Sequence, residues 1–144
     1  MPHVSHKRLD KKSFNKIYDQ LISVFDTAGR KYDSDILLRE LLTKTEKTMF
    51  AKRLAILSMI DEGISKHYIS EILSVSSSTV DRISVKYEQS RYPYISKIIR
   101  KNKETIWQML QEIIESSLAR KFGKGRWKWL DELEKKYNRK ILKS

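Results

Sequence analysis

The polar residues with the clearest chemical potential are clustered in one short stretch of the chain. A row of hydroxyl side chains is followed closely by charged ones: Ser76, Ser77, Ser78, Thr79, Asp81, Arg82 and Lys86. Hydroxyls hydrogen-bond to phosphates or base edges, and an arginine such as Arg82 can bind a guanine edge with two parallel hydrogen bonds. Asp81 would repel phosphate, so it fits such a surface only against a cytosine amino group or as a partner that aims Arg82. It can equally be an ion-paired surface residue, and the whole stretch can be an ordinary solvated helix face.

The sequence offers little support for catalysis or metal binding. It contains no cysteine, which excludes disulfides, thiolate metal ligands and thiol nucleophiles. His3, His6 and His67 are scattered, and no group of histidines and carboxylates has metal-ligand spacing. Gly123-Lys124-Gly125 is too short for a phosphate-binding loop and follows no predicted strand. We therefore predict that the protein is not an enzyme and needs no cofactor.

The polar stretch is carried by two predicted helices joined by a tight turn, within Ser65 to Ser84. The apolar positions on both sides of the turn have helical spacing: Ile69, Leu73, Val75, Val80 and Ile83. This pattern lets two helices bury one shared seam, and it is typical of a helix-turn-helix with its second helix at about residues 76–87. At the turn, Ser74 stands where glycine is common, because a left-handed backbone there costs other residues roughly 1 kcal/mol or more.

The remaining chain also reads as helices, since it has only two prolines and four glycines. An amphipathic helix is predicted from Asp10 to Ala28, and a short leucine-rich helix is capped by Asp33 and Ser34. Thr43-Lys44-Thr45-Glu46 has capping-box spacing and begins a helix that runs to about Glu62. Its predicted core face is Met49, Phe50, Leu54, Ile56, Leu57 and Ile60. After Pro93, an apolar stripe continues to Phe122 with a bend near Asn102, and a last helix is expected from Trp127 to about Ile141. The fold class is all-α.

Two features predict partners. The net charge of +12 favours polyanions, with nucleic acid ahead of a membrane surface, because no run of about eighteen apolar residues exists. The leucine-rich helix around Ile36 to Leu42 is apolar on more than one side, which suggests that a second copy of the chain covers it. The start of the chain has no apolar signal-peptide core, so we expect a soluble, cytoplasmic protein. Residues 1–9 are read as a loose basic arm or a frayed terminus.

The span from about Ser34 to Ser84 resembles the Trp repressor superfamily of bacterial DNA-binding proteins. The likeness is carried by LLRELLTKTEKTMFAKRLAILSMIDEGISKHYISEILSVSSSTVDRIS, a leucine-rich helix, a capped helix ending in glycine, and the helix-turn-helix. We therefore expect residues 10–90 to form the DNA-binding domain. Residues 91–144 are expected to be a C-terminal helical extension, to which the resemblance assigns no role. It further implies an intertwined homodimer that places two recognition helices in successive major grooves of double-stranded DNA, and a role in transcriptional control.

The resemblance also bears on a small-molecule effector. In tryptophan-responsive members two arginines flank the indole, and Arg53 and Arg82 stand at those places. The glycine after the second arginine is Ile83 here, and the serine of the pocket corresponds to Lys86. A branched side chain replaces the open floor of the pocket, so we expect that tryptophan is not a corepressor and that no ligand site is present.

Further cations remain candidates for the DNA backbone, namely Lys52, Arg53 and Lys66, although each can be plain solvated charge. The C-terminal run interleaves cations with Trp127, Trp129 and Tyr137, which could stack on bases or simply anchor the last helix. Two other functions stay open at this point. One is a helical module that binds RNA or an acidic protein, and the other is the DNA-binding part of a transposase or recombinase system.

Overall fold

The computed structural model describes residues 7–121 and 135, and regular structure in residues 7–121 consists of seven α-helices. Their bounds are α1 Lys11–Arg30, α2 Ser34–Leu41, α3 Lys44–Asp61, α4 Lys66–Leu73, α5 Ser77–Glu88, α6 Pro93–Lys101 and α7 Lys103–Lys121. The predicted all-α class is therefore confirmed. Most of the basic arm and the helix predicted from Trp127 to Ile141 lie outside the described residues, apart from Lys135, which is helical.

Local sequence signals set several of these helix ends. Thr43 and Glu46 form the predicted capping box, because the Thr43 hydroxyl accepts from the Glu46 N–H at 3.2 Å and Glu46 Oε2 accepts from the Thr43 N–H at 2.8 Å. Pro93 opens α6, where its missing N–H leaves no hydrogen bond unmade. At the expected bend near Asn102, α6 ends and α7 begins after one intervening residue, and the Asn102 side-chain amide donates to the Ile98 carbonyl at 3.0 Å.

The chain divides into two compact units, Met1–Ala51 and Lys52–Ser144. In the first unit, α1 packs on α2, and none of its described residues is buried. In the second unit, α4 contacts α5 and α7, and α6 contacts α7. Each of the two units thus has its own internal packing.

A continuous apolar core fills the second unit. It combines residues of α3, the loop before α4, the helix-turn-helix and α6–α7: Ala55, Ile56, Leu57, Met59, Ile64, Ile69, Ile72, Leu73, Val80, Ile83, Ile99, Trp107, Leu110 and Ile114. The helices after residue 90 supply Ile99, Trp107, Leu110 and Ile114 to this same core. The domain boundary predicted at residue 90 remains a prediction, and the core extends across it.

The predicted core face of α3 is only partly correct. Ile56 and Leu57 are each 1% exposed, whereas Phe50 is 58% and Leu54 40% exposed. Helical periodicity identified the apolar side chains but did not reveal what covers them, because burial depends on neighbours distant in sequence. The N-terminal half of α3 therefore presents apolar surface in the single chain.

Candidate nucleic-acid interface

The turn between α4 and α5 has the geometry that the sequence predicted. Ser74 ends α4 in the left-handed region, with φ 50° and ψ 54°, and its N–H donates to the Ser70 carbonyl. The Ser70 hydroxyl donates to the Val75 carbonyl at 2.7 Å, and Lys52 Nζ donates to the Ser74 carbonyl at 3.3 Å. Lys52, a candidate for contact with the DNA backbone, therefore also connects α3 to the turn through a hydrogen bond.

The hydroxyl row lies at the N-terminal end of α5, and its members have different roles there. Ser76 is the N-cap: its hydroxyl accepts from the Thr79 N–H at 3.3 Å, and it lies 2.8 Å from the Thr79 hydroxyl and 3.1 Å from that of Ser78. Ser77 is exposed, and its side chain makes no hydrogen bond to the residues that the structure describes. The free N–H groups and positive dipole end of a helix attract phosphate, so this end of α5 suits an anionic partner.

The outward face of α5 carries the predicted charges. Arg82 and Lys86 are exposed, and Arg82 Nε donates to the Ser78 carbonyl at 3.3 Å. A guanidinium has five N–H donors, so this one bond leaves others for a ligand. Arg53 on α3 is exposed as well.

Asp81 forms a surface ion pair that spans the two motif helices. Its carboxylate lies 3.6 Å from the Lys66 ammonium, and the two side chains are 58% and 49% exposed. At that exposure such a pair contributes about 0–1 kcal/mol. In the structure Asp81 is therefore paired with Lys66 and not with Arg82, which donates to the Ser78 carbonyl instead.

The inward face of α5 is closely packed. Val80 is fully buried and Ile83 is 9% exposed, and both belong to the core of the second unit. The Ile83 side chain therefore occupies interior space that a glycine at this position would leave open.

The C-terminal end of α5 is held by a polar cluster that sequence reasoning missed. The Tyr87 hydroxyl donates to Asp61 Oδ1 at 2.5 Å, Arg100 Nε donates to the same oxygen at 3.1 Å, and an Arg100 Nη donates to the Tyr87 oxygen at 3.3 Å. Burial, and then the Asp61 hydrogen bond, raises the pKa of Tyr87, while the hydrogen bonds to Tyr87 and Asp61 raise the pKa of Arg100. Tyr87 and Arg100 are 26 and 39 positions from Asp61, so no local pattern connects the three residues.

Two other kinds of site are absent from residues 7–121 and 135. No group of three or more histidine, cysteine or carboxylate side chains in that part of the chain is arranged to hold a metal ion. No helix there is both long and apolar enough to span a membrane.

Comparison with known proteins gives one match. The family model described as Trp repressor protein matches residues 16–103, which include α2 to α6 and most of α1. Searches of curated proteins and of solved structures gave no significant match. The matched span ends at the first residue of α7, so the Trp107, Leu110 and Ile114 contribution to the core lies beyond it.

Proposed function

The chain belongs to the Trp repressor family, a family of helix-turn-helix DNA-binding regulators rather than enzymes, and we propose that it is a sequence-specific regulator of transcription. In this proposal α5 is the recognition helix and enters the major groove of double-stranded DNA with its N-terminal end. The action is repressor-like, and the place of action is the cytoplasmic nucleoid.

The observation that carries the proposal is that α5 is amphipathic, with one face buried in the core and the other exposed and polar. Its inward residues Val80 and Ile83 are committed to the core, while its outward residues are exposed and polar: Ser76, Ser77, Ser78, Asp81, Arg82 and Lys86. Arg82 retains donors for a guanine edge, and Ser77 retains its hydroxyl for a base or phosphate. The net charge of +12 supplies affinity for the DNA backbone that does not depend on sequence.

We further propose that tryptophan is not its corepressor. Support comes from Ile83, which is buried at the position where the resemblance expects the open floor of the family's pocket, and from Lys86, at the position of the pocket's serine. The proposal is therefore a regulator that binds its operator without tryptophan.

The proposal includes a homodimer, which is the usual state in this family. The described part of the first unit has no buried residue, and many of its large apolar side chains are exposed: Phe14, Ile17, Tyr18, Ile22, Val24, Ile36, Leu38, Leu41 and Phe50. So many large apolar side chains exposed in one unit are unfavourable in water, which supports an association site there. A second copy with the same surface would bury it in an isologous contact.

The test is a selection of bound duplexes from a random DNA pool, followed by affinity measurements over a range of salt concentrations. The wild-type protein should enrich one motif, and its affinity should fall with salt because each neutralised phosphate adds about 0.9 to the log–log slope. Arg82→Gln should weaken the binding free energy for the selected duplex by about 1–3 kcal/mol and that for a shuffled duplex by much less. Arg53→Gln removes one charge from α3 at an exposed candidate for the DNA backbone and should weaken both duplexes alike.

Two results would overturn the proposal. One is the absence of any enriched motif together with an affinity that does not change with salt. The other is tighter binding to single-stranded RNA than to any duplex, which would indicate an RNA-binding module instead.

A further inference from the structure

The Asp61–Tyr87–Arg100 cluster joins the ends of three helices. Asp61 is the last residue of α3, Tyr87 lies in the last turn of α5, and Arg100 lies in the last turn of α6. The Asp61 side chain is 8% exposed and the Arg100 side chain 64% exposed. One largely buried carboxylate oxygen thus receives hydrogen bonds from both of the other helices.

This arrangement is not what helix formation alone would favour. A carboxylate at a helix C-terminus faces the negative end of the helix dipole, which is unfavourable by a few tenths of a kcal/mol or more. A shielded carboxylate also depends on its cationic partner, because loss of that partner leaves the charge uncompensated. Both costs at Asp61 are offset by Tyr87 and Arg100, so the three groups act together.

The cluster gives α5 a directional restraint that its apolar contacts lack. Val80 and Ile83 hold the middle of α5 in the core, but apolar contacts are roughly proportional to buried area and carry no direction. The ten-residue distance from Tyr87 to Ser77 is about 15 Å along a helix. A tilt of about 4° at Tyr87 would move the N-terminal end by about 1 Å, which exceeds the tolerance of about 0.5 Å that a binding constellation allows.

We propose that Arg100 is a positioning residue for DNA recognition: through Asp61 and the Tyr87 hydroxyl it fixes the orientation in which α5 meets the major groove. This inference rests on the proposed function, and it assigns to α6 a part in specificity that does not require contact with DNA. The guanidinium suits the task because its planar donors reach two acceptors at once, whereas a lysine offers a point charge.

The experiment uses the full-length protein, the duplex selected from the random pool, and a shuffled duplex of the same composition. Arg100→Lys and Tyr87→Phe both keep every charge, and each removes hydrogen bonds of the cluster. Each should weaken binding to the selected duplex about tenfold, or ~1.4 kcal/mol. The affinity for the shuffled duplex should change less than about twofold, and the dependence of affinity on salt should stay the same. The double variant should lose no more affinity than the more damaging single variant, because both changes break one unit.

The matched control is Lys97→Gln, which removes an exposed cation of α6 outside the cluster. It should change the affinity for both duplexes by the same factor. If Arg100→Gln weakens both duplexes equally and lowers the salt slope by about 0.9, then Arg100 is a phosphate contact and the proposal is wrong. Unchanged discrimination in both Arg100→Lys and Tyr87→Phe would also refute it.

Folding and function are controlled separately. Far-ultraviolet circular dichroism should give the same helicity for all variants. If Arg100→Lys is unfolded, the DNA binding of Tyr87→Phe, which retains the Asp61–Arg100 ion pair, is the test of the proposal. A wild-type protein that binds the two duplexes equally would refute the proposed function itself, and this would be known ahead of any comparison between variants.

Discussion

Truncation of Leu110 to alanine tests whether α7 is part of the helix-turn-helix core. Leu110 is 0% exposed and belongs to the same apolar cluster as Ile69 and Ile72 of α4. A buried leucine changed to alanine costs about 3–5 kcal/mol, which includes the lost transfer free energy and the cavity that remains. Because small proteins have a free energy of unfolding of about 5–15 kcal/mol, the change should remove a large share of it.

Urea unfolding followed by far-ultraviolet circular dichroism measures this loss. With a slope of about 1–3 kcal/mol per molar urea, the midpoint should fall by about 1–5 M. The control is Met109→Ala on the same helix, since Met109 is 37% exposed and should cost well under 1 kcal/mol. All samples need one protein concentration, because association shifts apparent stability. Equal small midpoint shifts for both variants would show that α7 does not pack on the motif.

Three further changes address other parts of the molecule. Ile17→Glu should convert the proposed dimer to a monomer by light scattering, whereas Gln20→Glu, off the apolar stripe of α1, should not; a monomeric wild-type protein at micromolar concentration would refute the proposed dimer. Thr43→Ala should lower the free energy of unfolding by about 1 kcal/mol through loss of the hydroxyl that caps the Glu46 N–H, and Thr43→Ser should retain it. The pKa of Tyr87 in the folded protein is raised above its ordinary value of 10.0, so its contribution to stability is complete below pH 10 and is lost as the pH rises through the higher pKa of the folded protein. Tyr87→Phe should therefore lose less free energy of unfolding than the wild-type protein in this alkaline range. An identical loss in both proteins would contradict the raised pKa of Tyr87.

Features that depend on residues close in sequence were predictable. The capping box, the left-handed backbone at Ser74, the proline start of α6 and the interruption at Asn102 each depend on residues within a few positions of one another. The inward positions Val80 and Ile83 followed from helical periodicity and are buried. The position of the helix-turn-helix in the chain is therefore encoded by short-range signals alone.

Features that depend on distant residues were not predictable. The Lys66–Asp81 pair and the Asp61–Tyr87–Arg100 cluster form only after the helices have packed, and nothing in the local sequence marks their members. Phe50 illustrates the same limit, since an apolar residue at a core-like position is exposed in the single chain. Helical periodicity identifies which apolar side chains share one face of a helix, and tertiary packing decides which of them are buried.

The contact between α7 and α4 also has a kinetic consequence. The Ser117 hydroxyl donates to the Ile72 carbonyl across 45 residues, whereas α4 and α5 are joined by a short turn. Closing a loop of that length instead of one of about ten residues costs about 1.3 kcal/mol more in chain entropy. The α4–α5 pair should therefore form early in folding and α7 should dock late, so that contacts of α7 mainly slow unfolding. By this reasoning α7 sets the lifetime of the folded helix-turn-helix more than the rate at which it forms.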